Sequence, residues 1–152
     1  MFRSLSHVLR FGALVAGSSA VLAVASPVPA AAVPAGTIDL QSEWDVYQRP
    51  SGTQDSPLGF HVNIAQRYEI DDRTALAFTG FAHTSSMNGT LRDGQVRGTT
   101  ITFTIDWDNN KTGVYHGNRF QDGYLRGHTA RQNRPSENAE WWSGDNDWRV
   151  TG

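Results

Sequence analysis

Between Gly98 and Asn110 the chain reads GTTITFTIDWDNN, with Ile101, Phe103, Ile105 and Trp107 at every second position and Thr102, Thr104 and Asp106 between them. A period of two gathers the apolar side chains on one face and the polar ones on the other, which makes a half-buried β-strand; a helix would scatter the same residues around its axis. Asp108, Asn109, Asn110 and then Gly113 follow at once. These residue types tolerate left-handed backbone or bond to their own main chain, so the strand ends in a turn. A strand with one dry face needs neighbours on both edges, and the rest of the chain has to supply a sheet.

It does so in short pieces. From Ser42 to Arg49, Trp44, Val46 and Gln48 alternate with Glu43, Asp45 and Tyr47 as a first strand, and Pro50 stops it. SGTQDSPL (51–58) has no period and is longer than a tight hairpin needs; loops of that kind often cover a pocket. Phe60, Val62 and Ile64 mark a second strand running to a turn at 71–73, and a third runs from Thr74 to about His83. After a polar link at 84–89, Leu91 to Gly98 and Phe120 to Gly127 echo each other, each holding Asp-Gly, an apolar residue, Arg and Gly. Asp-Gly between apolar-flanked segments predicts a hairpin turn, here used twice. Gly113 to Phe120 and Tyr124 to Thr129 read as further strands with internal Gly117 and Gly127, positions expected at bulges or barrel corners. Pro135 is expected to break the chain in a loop, Ala139 to Ser143 is a closing strand, and 144–152 either adds a short strand or frays.

No segment beyond the leader has a helical period. Seven or eight short strands with frequent turns describe an all-β sandwich or barrel, and the near-neighbour hairpins favour an antiparallel up-and-down β-barrel of about eight strands.

Ahead of it, Arg3 and Arg10, the apolar run from Phe11 to Val24 and the small-residue stretch beyond have the order of a secretory signal peptide. The expected division is a signal peptide at 1–32, an extended Pro-containing linker at 33–41 and the barrel at 42–152. The small-residue patterns allow cleavage after Ala25 or after Ala32, and the second is preferred. The expected product is secreted, with no membrane attachment once the leader is removed. With no cysteine, a small exported domain has no cross-links to supplement its core, and a closed sheet burying aromatics suits that constraint; five Trp, four Tyr and seven Phe are present. Lys and Arg number 13 against 15 Asp and Glu, two of the basic residues fall in the leader, and Lys111 is the single lysine. Nucleic-acid binding rests on clustered basic residues and is not expected.

Candidate chemistry is thin. His61, His83, His116 and His128 lack the close helical spacing of a zinc site, so no metal and no cofactor is expected. Asp106 and Asp108, two apart at a strand end, allow a general acid/base reading, although a solvated edge and a turn cap explain such a pair more often. Gly-x-Ser-x-Gly and phosphate-loop motifs are absent, so no catalytic residue is assigned. The aromatics say more. Trp44, Phe81, Phe103, Trp107, Tyr115, Trp141 and Trp142 fall on different strands, and in a closed barrel several share the interior, either filling it or lining a pocket. Trp141 and Trp142 are adjacent and point to opposite faces, so one is expected outside, at an interface or as a stacking platform for a sugar.

Phe103-Thr104-Ile105-Asp106-Trp107-Asp108-Asn109-Asn110 is similar to the strand-and-turn motif of the avidin and streptavidin family, in which an aromatic, Thr, an aliphatic and Trp lead to Asn-Asn. Trp44 with Gln48, then Phe60 to Ile64, then Thr79-Gly80-Phe81 follow in the order of that family's early strands. The resemblance implies an eight-stranded up-and-down barrel, usually tetrameric, that takes biotin at one mouth. It makes Phe103 an aromatic wall and puts Phe81 where the family has a tyrosine whose hydroxyl bonds the ureido oxygen. Without that donor the resemblance speaks for the fold rather than for biotin.

These readings combine into a non-catalytic, secreted barrel that binds a small apolar or amphipathic ligand through Trp44, Phe81, Phe103, Trp107 and Tyr115, with His83 as a polar contact. Oligomerisation is left open. One alternative is an extracellular carbohydrate-binding or inhibitor module using the outer Trp and the 51–58 loop. The other is a barrel enzyme using His83, His116 or Asp106.

Overall fold

The computed structural model describes residues 36–71 and 73–152. The expected leader and its cleavage bond lie outside the described residues. The strands are β1 (Glu43–Pro50), β2 (Leu58–Ile70), β3 (Ala75–His83), β4 (Asn88–Arg97), β5 (Thr100–Trp107), β6 (Thr112–Arg119), β7 (Leu125–Arg131) and β8 (Arg134–Ser143). Each pairs antiparallel with the next, and β8 returns to β1 through a register running from Val46↔Ser143 to Pro50↔Ala139, which closes an up-and-down barrel.

Alternation along each strand decides what goes inside. Trp44 and Val46 of β1, Phe60 and Val62 of β2, Ile101, Phe103 and Ile105 of β5, and Trp141 of β8 all point into one core. Trp141 is buried and its neighbour Trp142 stands on the outer wall, as opposite faces require. Trp44 sits among Phe78, Phe103 and Trp148 in edge-on contacts with centroids 5.2 to 6.5 Å apart. At about 25 cal/mol per Å2, removing a ring of about 200 Å2 from water is worth about 5 kcal/mol, comparable with one disulfide. The buried indoles of Trp44, Trp141 and Trp148 thus provide what cross-links would otherwise supply.

The flanking segments complete one end. Ile38 pairs with Val150, the Ile38 amide donates to the Gly98 carbonyl at 2.8 Å, and the Asp39 amide donates to Arg149 at 2.9 Å. This brings Ile38, Leu40 and Trp148 over the barrel end, where all three are buried. The tail expected to add a strand or fray is a plug, and residues 36–41 of the expected linker are its other half. Both segments hold too few apolar residues for a period to show.

Two turn assignments change. Asp122-Gly123 does form the β6–β7 turn, with Gly123 at φ +88°. Asp93-Gly94 does not make a hairpin. It lies inside β4 at a register shift between Arg92 and Gln95, with Asp93 at φ +53°, and the β4–β5 turn falls at Gly98 instead. A bulge and a tight turn both call for left-handed backbone, so one dipeptide serves either. Pro135 lies within β8 rather than in a loop, close to the β7–β8 turn, where the register is irregular and a missing amide is tolerated.

Candidate functional site

The end opposite the plug is open. There the last residues of β1, β5 and β7 meet the first residues of β2, β6 and β8 around a cavity of about 710 Å3. Its floor follows from the strand pattern. Gln48 continues the inward series of Trp44 and Val46, but one step higher, where the core gives way to the opening. Its Oε1 accepts a 3.0 Å hydrogen bond from the hydroxyl of Tyr115, on the far side of the barrel. The Tyr115 ring lies flat on Phe103, centroids 4.7 Å apart and planes within 5°. Phe60 meets Trp107 edge-on at 5.4 Å and Tyr115 at 5.8 Å. Burial pushes the Tyr115 phenol up to about 12, partly offset by its polar neighbours Trp107 and Thr129, so the hydroxyl keeps its proton and its capacity to donate.

Above this floor the wall is mixed. Trp107, Leu58 and Met87 bring apolar surface, while Thr129, Asn109 and Asn138 bring hydrogen-bonding groups. The 51–58 loop contributes Ser51 and Ser56 to the rim. Charges there are largely spoken for. Glu137 accepts from Arg131 at 3.0 Å and from Arg134 at 3.1 Å, and these guanidiniums, Arg131 first, hold its carboxyl below the usual value. Arg49 faces Glu140 at 3.5 Å. Lys111 lines the mouth with no acidic partner among the described residues.

The six residues expected to line a pocket are thus divided. Trp107 and Tyr115 line the mouth, Phe103 lies directly beneath Tyr115, and Trp44 is deeper still, against the plug. Phe81 and His83 stand on the outer wall rather than inside, Phe81 with 58 % of its surface exposed. In β3 the buried series is Phe78, Gly80 and Ala82, so the odd-numbered positions beyond Thr79 face out. His83 lies beside His61, rings 5.3 Å apart, and the His61 Nδ1 is 2.8 Å from Asp45 Oδ1. Gln48, Thr129 and Lys111 also line the mouth, and the aromatic pattern passed over them. Gln48 alone had a signal, as the polar third member of an apolar alternation.

The groups considered for acid/base chemistry are not assembled. Asp106 faces outward, where Arg92 Nε donates to it at 2.6 Å and the Thr112 hydroxyl at 2.8 Å. Those bonds, Arg92 first, hold its carboxyl below the ordinary value, which favours a fixed carboxylate. Asp108 accepts the Asn88 amide at 3.1 Å and so ties the end of β5 to the start of β4, while the side chain that bonds within the β5–β6 turn is Asn109, which accepts the Lys111 amide at 3.1 Å. His83 pairs in register with His61 and Asn88, and His116 with Thr102 and His128, so neither is a ladder partner of Asp106. Among the described residues no group of three or more His, Cys, Asp or Glu side chains could hold a metal ion.

No family model, no curated protein and no solved structure matches this chain.

Proposed function

We propose that this barrel binds a small amphipathic molecule at its open mouth and releases it unchanged. The observation that carries the reading is the contrast between the two ends: one is plugged by Ile38, Leu40 and Trp148, the other holds a cavity of about 710 Å3 floored by Tyr115 and Gln48. That volume suits a drug-sized ligand, and a few polar groups set in an apolar wall are the usual means of orienting one. The flat side of the ligand packs on Trp107, a polar head exchanges hydrogen bonds with Gln48, Tyr115 and Thr129, and an anionic tail reaches Lys111. The resemblance to the avidin family adds support, since the Trp-x-Asn turn on which it rests delivers Trp107 and Asn109 to this mouth. The leader-like N-terminus supports export as the setting.

The test is a fluorescence titration with anilinonaphthalene sulfonate and a panel of aromatic and aliphatic carboxylic acids. Binding quenches Trp emission, Trp107→Phe removes most of that change, and Tyr115→Phe weakens affinity three- to tenfold, about the value of one hydrogen bond. Absence of binding across the panel, or quenching unaltered in Trp107→Phe, would overturn the proposal.

A further inference from the structure

The outer wall of β6, β7, β8 and β1 carries a second depression, of about 790 Å3, which shares Arg49 alone with the lining of the mouth. Register sets its contents in two outward rows. One runs Asn118, Arg126, Trp142, Tyr47, one residue from each strand in turn, and the next His128, Glu140, Arg49 across β7, β8 and β1. Trp142 and Tyr47 are ladder partners whose rings lie within 23° of parallel, centroids 6.3 Å apart. Arg49 packs over the Trp142 ring at 5.5 Å. Farther along, Arg126 sits between Phe120 and Tyr124, at 5.3 and 5.0 Å from their centroids.

Two features of this wall identify what it suits. All its apolar surface is aromatic, with no aliphatic side chain among the residues that line it. Its charges are also matched internally, Arg126 by Asp122 at 2.6 Å and Arg49 by Glu140 at 3.5 Å, so a charged partner gains little. Flat rings rimmed by planar hydrogen-bonding groups fit a ligand with C–H faces and hydroxyl edges. A stable protein partner would need upwards of about 1,000 Å2 of contact with a centre depleted of acidic groups, whereas here the Arg49–Glu140 pair stands among the rings.

We propose that this wall is a binding site for a neutral polysaccharide, one sugar ring stacking on the exposed Tyr47 ring beside Trp142 and a neighbouring one on the face of Phe120 that Arg126 leaves open. The hydroxyl edges are met by Asn118, Glu140 and the two arginines. Trp142, Tyr124 and Phe120 take no part in the cavity of the mouth, so changes at these rings report on the wall alone.

Retention of the full chain on insoluble cellulose, chitin, xylan and mannan tests this, with affinity for the matching hexasaccharide then measured by calorimetry. At least one polysaccharide retains the protein. Trp142→Ala lowers affinity about three- to tenfold, the scale of one aromatic stacking contact. Phe120→Ala, at a ring already 47 % exposed, weakens binding without disturbing the core. Both variants keep the native circular dichroism spectrum and bind anilinonaphthalene sulfonate at the mouth as before. No retention on any of the four, or retention unchanged in both variants, overturns the proposal. So does a dimer in sedimentation that Trp142→Ala dissociates while no glycan binds, since the wall would then belong to a second copy.

Discussion

The indole of Trp141 lies across Gly117, its ladder neighbour but one, so closely that a Cβ there would overlap Trp141 Cζ2 and come within 2.8 Å of Cη2. Gly127, between them in the ladder, is equally constrained by the backbone of β6. The ring uses the room the two glycines leave to bring its Nε1–H against the carbonyls of His116 and His128, at 3.1 and 3.2 Å. A large ring is thereby buried with its one polar group satisfied, and two residues that weaken a strand in isolation become necessary to this one.

Gly117→Ala should therefore cost about 3 kcal/mol or more in urea unfolding, the upper range for overpacking a rigid site. Adding Trp141→Phe removes the atoms that collide and should recover part of the loss. A strictly additive double mutant would show that the clash is not the cause.

The plug makes a second expectation. Trp148 is buried to 1 % exposure and packs edge-on against Trp44 at 5.2 Å. Trp148→Ala should cost about 3–5 kcal/mol, the range for deleting a buried large aromatic, whereas removal of a fraying tail would cost nothing measurable by thermal melting.

The left-handed position in β4 is open to a direct comparison. Asp93 at φ +53° precedes Gly94, where a Cβ would meet the Phe78 ring at 2.5 Å. Asp93→Asn should stay within a few tenths of a kcal/mol, while Asp93→Val should lose about 1–2 kcal/mol, because a β-branched side chain collides with its own backbone in that conformation. Equal stability of the two variants would place the bulge elsewhere.

Alkaline pH reports on Tyr115. Its phenol ionises at about 12 in the fold against an ordinary 10.0, so below pH 10 its neutral form stabilises the native state fully. As pH rises from about 10 through 12, the unfolded chain gives up this proton first, and about 2–3 kcal/mol of stability is lost over that window. Stability measured against pH should fall more steeply there in the parent chain than in Tyr115→Phe. Parallel curves would mean that Tyr115 is accessible to solvent.

The strands were legible wherever a two-residue period carried large side chains, as at Ile101 to Trp107 and at Trp44 and Val46. The opposite facing of Trp141 and Trp142 followed from adjacency alone. Phe81 misled because an aromatic in a strand looks inward-facing until a neighbouring series, here Phe78, Gly80 and Ala82, sets the phase, and Gly80 carries no side chain to announce it. Asp93-Gly94 misled because the dipeptide encodes a backbone conformation and not the element that uses it. The plug was silent, since Ile38 and Trp148 are buried by a contact between the two ends of the described chain. At the mouth, Trp107 and Tyr115 could be chosen by type, whereas Gln48, Thr129 and Lys111 become partners only once the strand ends are gathered in a ring.

The most direct test of an open mouth over a filled interior uses the five tryptophans as reporters, because each has one indole N–H signal in a proton–nitrogen correlation spectrum and each occupies a different place. On titration with anilinonaphthalene sulfonate the Trp107 signal should shift, together with backbone amides of Gln48, Lys111 and Ala130, while the Trp44, Trp141, Trp142 and Trp148 signals stay in place. Shifts at Trp44 and Trp148 without Trp107, or at Trp142 alone, would contradict the account by placing the ligand at the plugged end or on the outer wall.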